Sequence, residues 1–221
     1  MCDSMSLAPA VATASFADRD SAPDTDPHSG FWAGAASQIA ANDNLGNPVH
    51  GHETEILIQW TQKNLYLLFI CPFTELNLKP DPDLTAETYE LWNWDVAEIF
   101  IGADFKNIRR YKEFEVSPQG EWVDLDVNLD NPPHEVGWVW KSGCEVAGRI
   151  DAAEKIWYGF MRIPWEAIDE RNASVGNELR VNLFRCEGVG AERKLMAWRA
   201  TGRPTFHAPE AFGILRLAGR E

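Results

Sequence analysis

Tryptophan is the residue type in this chain best suited to binding chemistry, with ten copies in 221 residues. An indole presents a flat apolar face and an N–H donor at its edge, which suits a ligand with apolar C–H faces and a polar rim. Sugars have that shape. A β-rich core rarely needs so many large rings, so we expect some to form a ligand platform. The ten are Trp32, Trp60, Trp92, Trp94, Trp122, Trp138, Trp140, Trp157, Trp165 and Trp198.

The segment LWNWDVAEIF, residues 91–100, combines two of these rings with an acid. If a strand extends through it, Trp92, Trp94 and Glu98 share one face, because side chains alternate along a strand. The rings could then stack on a sugar while Glu98 accepts hydrogen bonds from its hydroxyls. The alternative is that one ring is core and Glu98 is half-buried against an arginine.

A second candidate lies near the C-terminus, in AWRATGRPTFHAPEAFGILRL, residues 197–217. Trp198 lies beside Arg199, Arg203 and His207 in a stretch with Pro and Gly turns. This segment could form the opposite wall of a cleft. The alternative is a C-terminal strand held in place by a tryptophan.

Acids and amides alternate in WVDLDVNLDN, at Asp124, Asp126, Asn128 and Asp130. Calcium needs six or more oxygens converging at about 2.3–2.6 Å, and alternate acids on one strand do not converge unaided. We therefore expect a solvated acidic face there. The acidic loop 81–87 is an equally good source of calcium ligands.

Motifs for catalysis are missing from the sequence. It has no GxSxG, no HExxH and no Gly-rich phosphate loop. Carboxylates are so abundant that choosing two as a glycosidase acid and base would be arbitrary. We predict that the chain is not an enzyme.

The formal net charge of −14 is concentrated in residues 53–135, which hold seventeen acids and six bases. This acidity argues against nucleic acid and against an anionic membrane surface, since both need basic contacts. The sequence has no apolar stretch long enough to span a bilayer. The first basic residue is Arg19, so the N-terminus is a poor secretory signal. A cytoplasmic protein is expected, or a secreted or periplasmic one if the true start lies elsewhere.

Short strand-like segments separated by turn signals dominate the rest of the chain. They predict an all-β fold, an antiparallel β-sandwich of jelly-roll or immunoglobulin-like type. One short helix is expected in PWEAIDE, residues 164–170, because Pro164 suits a first helical turn. Residues 1–29 are rich in Ala, Ser, Asp and Pro and predict a flexible N-terminal arm, leaving 30–221 as the domain.

The order of these segments resembles carbohydrate-binding module family 9 and its relatives in the DOMON-like superfamily. The resemblance covers about residues 31–218. The matching segments are a hairpin ending in Trp and then LYLLF, LWNWDVAEIFIG, YKEFEVSPQGEW, WYGFMRIPWEAI, NLFRCEG, and a closing W…P…FH.P..FG.L.

This resemblance implies a non-catalytic domain that grips an oligosaccharide or polysaccharide, often the reducing end of a glucan or xylan, between two tryptophans. It also implies structural Ca²⁺ and a partner glycosidase. By position, Trp92 and Trp198 look like the two clamp rings and Glu98 like the hydroxyl-binding acid. If the strand is extended, Trp94 lies on the same face as Trp92 and Glu98. Weaker candidates for the polar rim are Arg109, Arg110 and Glu115.

Two other functions stay open. Some DOMON-like domains bind haem through Met and His, for which Met161 and His207 are the candidates, although haem is the less favoured cofactor. Alternatively, all ten tryptophans are buried and the sandwich serves as a structural or interaction domain.

Overall fold

The chain folds into two packed β-sheets, so the predicted all-β sandwich is confirmed. A computed structural model describes residues 10–131 and 138–220. The strands are β1 Val11–Phe16, β2 Ala36–Ala40, β3 Asn42–Asp43, β4 Thr54–Trp60, β5 Asn64–Pro72, β6 Val96–Gly102, β7 Arg110–Val116, β8 Trp122–Asn128, β9 Glu145–Asp151, β10 Ile156–Pro164, β11 Glu178–Glu187, β12 Lys194–Ala197 and β13 Gly213–Leu217.

The two sheets are joined through β1. The front sheet has the strand order β8-β7-β6-β11-β13-β1, and the back sheet has the order β1-β4-β5-β10-β9. Strand β1 runs parallel to β13 at Val11–Ala14 and parallel to β4 at Ser15 and Phe16. The other strand pairs are antiparallel.

Strand β1 corrects the prediction of a flexible arm over residues 1–29. Ala12 and Ala14 are fully buried. Beyond the strand, Asp20 accepts hydrogen bonds from the hydroxyls of Thr61 and Tyr66 at 2.6 and 2.9 Å. The small residues of this segment suggested disorder. They occur here because the strand lies where the two sheets meet, a place that favours small side chains. The prediction is therefore wrong for residues 11–16.

The core between the sheets follows the period-two alternation of the strands. Ile99 and Phe114 of the front sheet face Leu67 and Met161 of the back sheet in one buried cluster. The next residues along the front strands point the other way. Phe100, Tyr111 and other front-sheet residues form a second cluster, which the C-terminal Phe206 and Phe212 cover. The outer face of the front sheet is thus largely shielded from solvent.

The short helix predicted over residues 164–170 is a single 3₁₀ turn, Trp165–Ala167. Tertiary hydrogen bonds hold this turn, because the Trp165 indole N–H donates to the Thr61 carbonyl at 2.9 Å. One turn without further propagation is typical of so short a segment. Among the described residues, no helix has the length and apolar character needed to cross a membrane.

Candidate functional site

A cleft of about 340 Å³ opens on the outer face of the front sheet. Its floor is formed by β6, β7 and β11, and its walls by three segments, residues 92–93, residues 193–195 and residues 204–207. This volume lies at the small end of the range for ligand pockets. The lining residues are Trp92, Asn93, Glu98, Phe100, Glu113, Cys186, Arg193, Leu195, Pro204, Thr205, Phe206 and His207.

Trp92 forms one wall from a 3₁₀ turn, Leu91–Asn93, and not from an extended strand. The turn begins after Glu90, whose φ of 61° lies in the left-handed region that few non-glycine residues adopt. The ring of Tyr89 packs edge-on against Trp92 with centroids 5.3 Å apart. Trp92 and Trp94 are both partly buried and both pack against the outer cluster of the front sheet, but only Trp92 of the two lines the cleft.

Arg193 ties this wall to the neighbouring loop. Its guanidinium donates to the backbone carbonyls of Trp92 and Gly188, the latter at 2.8 Å. Asp95 also holds this region in place. Its carboxylate accepts hydrogen bonds from the backbone N–H groups of Gly188 at 2.7 Å and Asn77 at 3.1 Å. The indole is thus mounted on a loop that several charge-assisted hydrogen bonds hold in place.

The opposite wall comes from the C-terminal segment. Phe206 stacks on Phe184 with centroids 4.1 Å apart and an interplanar angle of 15°. His207 Nδ1 lies 2.6 Å from the hydroxyl of Tyr111, which fixes the ring over the sheet. Phe206 and His207 therefore add an aromatic ring and an imidazole to the lining that Trp92 shares.

Three carboxylates approach one another at the floor. Glu98 of β6 lies directly opposite Glu115 of β7 in the antiparallel register, and Glu113 follows two residues away on the same face. One ligand oxygen from each lies within 4.8 Å of the others. Glu98, Glu113 and Glu115 are 2%, 3% and 0% exposed, so the loops above exclude most water from them.

Burial makes this floor unusual electrostatically. Desolvation raises the pKa of Glu98 to about 7, although a hydrogen bond from Cys186 and the charge of Arg193 oppose the shift. Desolvation and then the neighbouring carboxylates raise the pKa values of Glu113 and Glu115 well above the ordinary range. Like charges so close cannot all ionise without a compensating partner.

The other predicted site residues lie elsewhere. Trp198 packs against the core between the sheets, so close to Gly213 that an added Cβ there would lie 2.6 Å from the ring. Arg109 is exposed and pairs with Asp130 at 2.5 Å, and Arg110 is exposed at the start of β7. The structure thus brings together Trp92, Glu98 and Glu115, but does not pair Trp92 with Trp198.

Several cleft residues escaped the sequence analysis, namely Glu113, Arg193 and Phe206. Glu113 could have been found, because the alternation in YKEFEVS that places Glu115 on the outer face also places Glu113 there. Arg193 could not, since its loop carries no periodic signal. Phe206 lies in the segment 197–217 that was expected to form the opposite wall, but no spacing singled out this ring.

The structure does not bring together the β8 acids that were considered for calcium, or the Met161 and His207 pair that was considered for haem. The acids of β8 pair individually and do not converge: Asp126 contacts Lys112 at 2.7 Å, and Asp124 accepts from the Ser142 hydroxyl. Met161 is fully buried between the sheets, whereas His207 lines the cleft on the far side of the front sheet. The proposed haem pair therefore does not share a site.

Solved structures of similar fold include carbohydrate-binding proteins. A candidate carbohydrate-binding protein from Bacteroides uniformis matches with a TM-score of 0.74 and 15% identity, over 95% of this chain and 100% of that one. A family 9 carbohydrate-binding module from Caldicellulosiruptor kristjanssonii in complex with cellotriose matches with a TM-score of 0.66 and 13% identity, over 96% and 95% of the two chains. The complex of such a module with glucose gives a TM-score of 0.65 at 13% identity, over 95% and 97%.

A search of curated proteins found no match. The family model described as carbohydrate family 9 binding domain-like matches residues 28–220, which is most of the chain. At identities this low, the solved structures support the fold alone, whereas the family match covers both walls and the floor of the cleft. The chain therefore belongs to the carbohydrate family 9 binding domain-like family.

Proposed function

We propose that this domain binds the end of an oligosaccharide or polysaccharide chain in the cleft on the front sheet, without catalysing its cleavage. The observation that carries the proposal is a partly exposed indole, Trp92, that lines the same cleft as the buried carboxylates of Glu98 and Glu113. The family membership and the cellotriose and glucose complexes of structural neighbours support a saccharide ligand.

Each wall has a separate task in this proposal. Trp92 stacks on the apolar C–H face of a pyranose ring, and the opposite face meets the aromatic wall of Phe206. Glu98 accepts hydrogen bonds from hydroxyls, and charge-assisted hydrogen bonds are about twice as strong as neutral ones. A second tryptophan clamp is not part of this proposal, because Trp198 packs into the core.

The small cleft favours a chain end over the middle of a chain. A volume of about 340 Å³ suits one or two sugar rings better than a long segment. A reducing end is the specific form we propose, with glucan and xylan as the leading polymers. The hydroxyl at the anomeric carbon would then be one of the groups that hydrogen-bond to Glu98 or Glu113, the two acids that line the cleft.

Isothermal titration with glucose, cellobiose and xylobiose tests the proposal when each sugar is paired with its reduced alditol. We expect binding of at least one free sugar and loss of binding with its alditol, since reduction opens the terminal ring. Equal binding of sugar and alditol would reject the reducing end but keep the cleft. Absence of heat with every sugar and with longer cello- and xylo-oligosaccharides would reject saccharide binding.

A further inference from the structure

The floor of the cleft holds more buried carboxyl groups than its surroundings can stabilise as anions. Glu98, Glu113 and Glu115 contribute one oxygen each to a group that lies within 4.8 Å. Among the residues the structure describes, this is the group of His, Cys, Asp and Glu side chains whose ligand atoms converge in this way. A buried carboxylate needs a partner of opposite charge or several hydrogen-bond donors.

Three carboxylate oxygens of Glu113 and Glu115 have no positively charged partner and no N–H donor among the described residues. Both carboxylate oxygens of Glu115 and Oε2 of Glu113 are buried and accept no hydrogen bond from another kind of group among the described residues, although the Glu113 and Glu115 carboxyls lie within hydrogen-bond contact of each other. Glu115 is completely buried, and its carboxylate lies directly across the strand pair from Glu98. Orphaned oxygens of this kind call for an explanation such as an ion that the protein binds.

The positive groups nearby do not supply the missing partner. Arg193 donates to the carbonyls of Trp92, Asn93 and Gly188, so its guanidinium is engaged on the cleft wall. Glu98 receives one weak donor, the Cys186 thiol, at 3.2 Å. His207 is engaged with Tyr111.

We propose that Glu98, Glu113 and Glu115 together bind one divalent cation, Ca²⁺ by preference, on the floor of the cleft beneath Trp92. Hard carboxylate oxygens favour Ca²⁺ or Mg²⁺ over softer metals. Calcium accepts six to eight oxygens in flexible geometry, so three carboxylates leave positions for water or other oxygens. The cation also removes the repulsion among the three acids.

The bound cation would also strengthen sugar binding, an expectation that rests on the proposed function. Oxygens of the bound sugar would fill the open coordination positions, so the cation and the sugar would bind cooperatively. Cation binding itself does not require a sugar. The two proposals can therefore fail separately.

The first experiment titrates EDTA-treated, metal-free protein with Ca²⁺ by calorimetry, and with Tb³⁺ by luminescence under tryptophan excitation. Trp92 lines the same cleft as Glu98 and Glu113, so its indole can sensitise Tb³⁺ emission. We expect one Ca²⁺ per chain and Tb³⁺ emission that Ca²⁺ displaces. Failure to bind Ca²⁺ would overturn the proposal.

Isosteric variants locate the cation. Glu113→Gln and Glu115→Gln should each weaken Ca²⁺ binding by about tenfold or more, since even changes behind the direct ligands cost 10–100-fold. Glu121→Gln is the matched control, because Glu121 is also fully buried but accepts its hydrogen bond from Ser117 outside the cluster. Calcium binding that all three variants leave intact would place the ion elsewhere and overturn the proposal.

Titrating the metal-free and calcium-loaded protein with cellobiose and glucosamine completes the test. Tighter cellobiose binding with Ca²⁺ would support the coupling. Sugar binding that ignores Ca²⁺ would reject the coupling while keeping the proposed function. Tight glucosamine binding without any Ca²⁺ binding would mean that the acids bind an ammonium group, which would also overturn the cation proposal.

Discussion

At the scale of single residues, position relative to the two sheets decides the role of each tryptophan. Five are buried, namely Trp32, Trp60, Trp138, Trp157 and Trp165. The other five are partly buried, and Trp92 alone among them lines the cleft. The abundance of tryptophan was the reason to expect a sugar ligand, but most of the rings pack within the fold.

The carboxylates of the floor give the metal-free protein a pH-dependent stability. The unfolded Glu98 ionises near its usual pKa of 4.5, whereas burial raises the pKa in the folded chain to about 7. With respect to Glu98, the folded state then holds more protons between these values, so the contribution of Glu98 to stability falls as pH rises through this window and levels off above it.

The variant Glu98→Gln should remove part of this fall. Near pH 8 it should be more stable than the wild type by up to about 3 kcal/mol, and near pH 4 the two should be similar. Urea unfolding in EDTA at both pH values measures the difference. A wild-type chain that gains stability from pH 5 to pH 8 would contradict the raised pKa.

For Trp198 we expect a substitution to change stability and to leave sugar binding intact. Its ring packs on Gly213 and the core, so Trp198→Ala should destabilise the fold by about 2–4 kcal/mol. Sugar affinity of the folded variant, measured at low temperature, should change little. A stable Trp198→Ala variant that has lost sugar binding would restore Trp198 as a clamp ring.

At the scale of secondary-structure elements, β1 joins the two sheets. It pairs with β13 at one end and with β4 at the other, in parallel on both sides. Without it, β13 would expose an unpaired backbone edge, and β4 would lose its pairing at Gln59 and Trp60, beyond the part that β2 covers. Unpaired edges promote aggregation. Its small residues Ala12 and Ala14 leave room for the adjacent sheets.

Deletion of residues 1–17 should therefore destabilise the domain strongly and lower its solubility. The expected result is a fall in melting temperature or insoluble expression, monitored by circular dichroism and size-exclusion chromatography. Deletion of residues 1–9 is the control. A truncated chain that keeps full stability without residues 1–17 would mean that β1 adds little to the sandwich.

The strands could be predicted because each carries its own period-two signal. VAEIFIG and YKEFEVS appear as β6 and β7 in the antiparallel pairing that places Glu98 beside Glu115. The extended strand through Trp92 was wrong, because the chain turns at Glu90, where φ is positive. The partners of Trp92 could not be predicted either, since Arg193 and Phe206 reach the cleft from loops whose positions depend on long-range packing.

At the scale of the whole molecule, the excess of acids is not spread evenly through the fold. The net charge is −14, yet three acids of the strongly acidic middle region are buried at the cleft floor and do not simply face solvent. A solvated acidic face was expected for the acids of β8, and this expectation is wrong for Asp124, which is 2% exposed and accepts a hydrogen bond from the Ser142 hydroxyl. The burial of Glu113 and Glu115 on β7 could not be predicted, because the C-terminal segment folds back over the front sheet, a contact that no local pattern encodes.

Because a neutral sugar carries no charge, its affinity at saturating Ca²⁺ should change little between about 0.05 and 0.5 M NaCl. Calorimetry at the two ionic strengths measures this. A steep loss of affinity with salt would indicate a charged ligand, which the neutral-sugar proposal excludes.

The most direct single measurement compares cellobiose binding by the wild type, Trp92→Ala and Trp122→Ala, with thermal unfolding of each. Trp122 is a matched control, being also partly buried but on β8 outside the lining of the cleft. We predict that Trp92→Ala weakens binding by about thirtyfold or more, the scale of a binding hot spot, while it keeps a near-native melting temperature. Trp122→Ala should bind like the wild type. A folded Trp92→Ala variant with unchanged affinity would show that the sugar does not bind in this cleft.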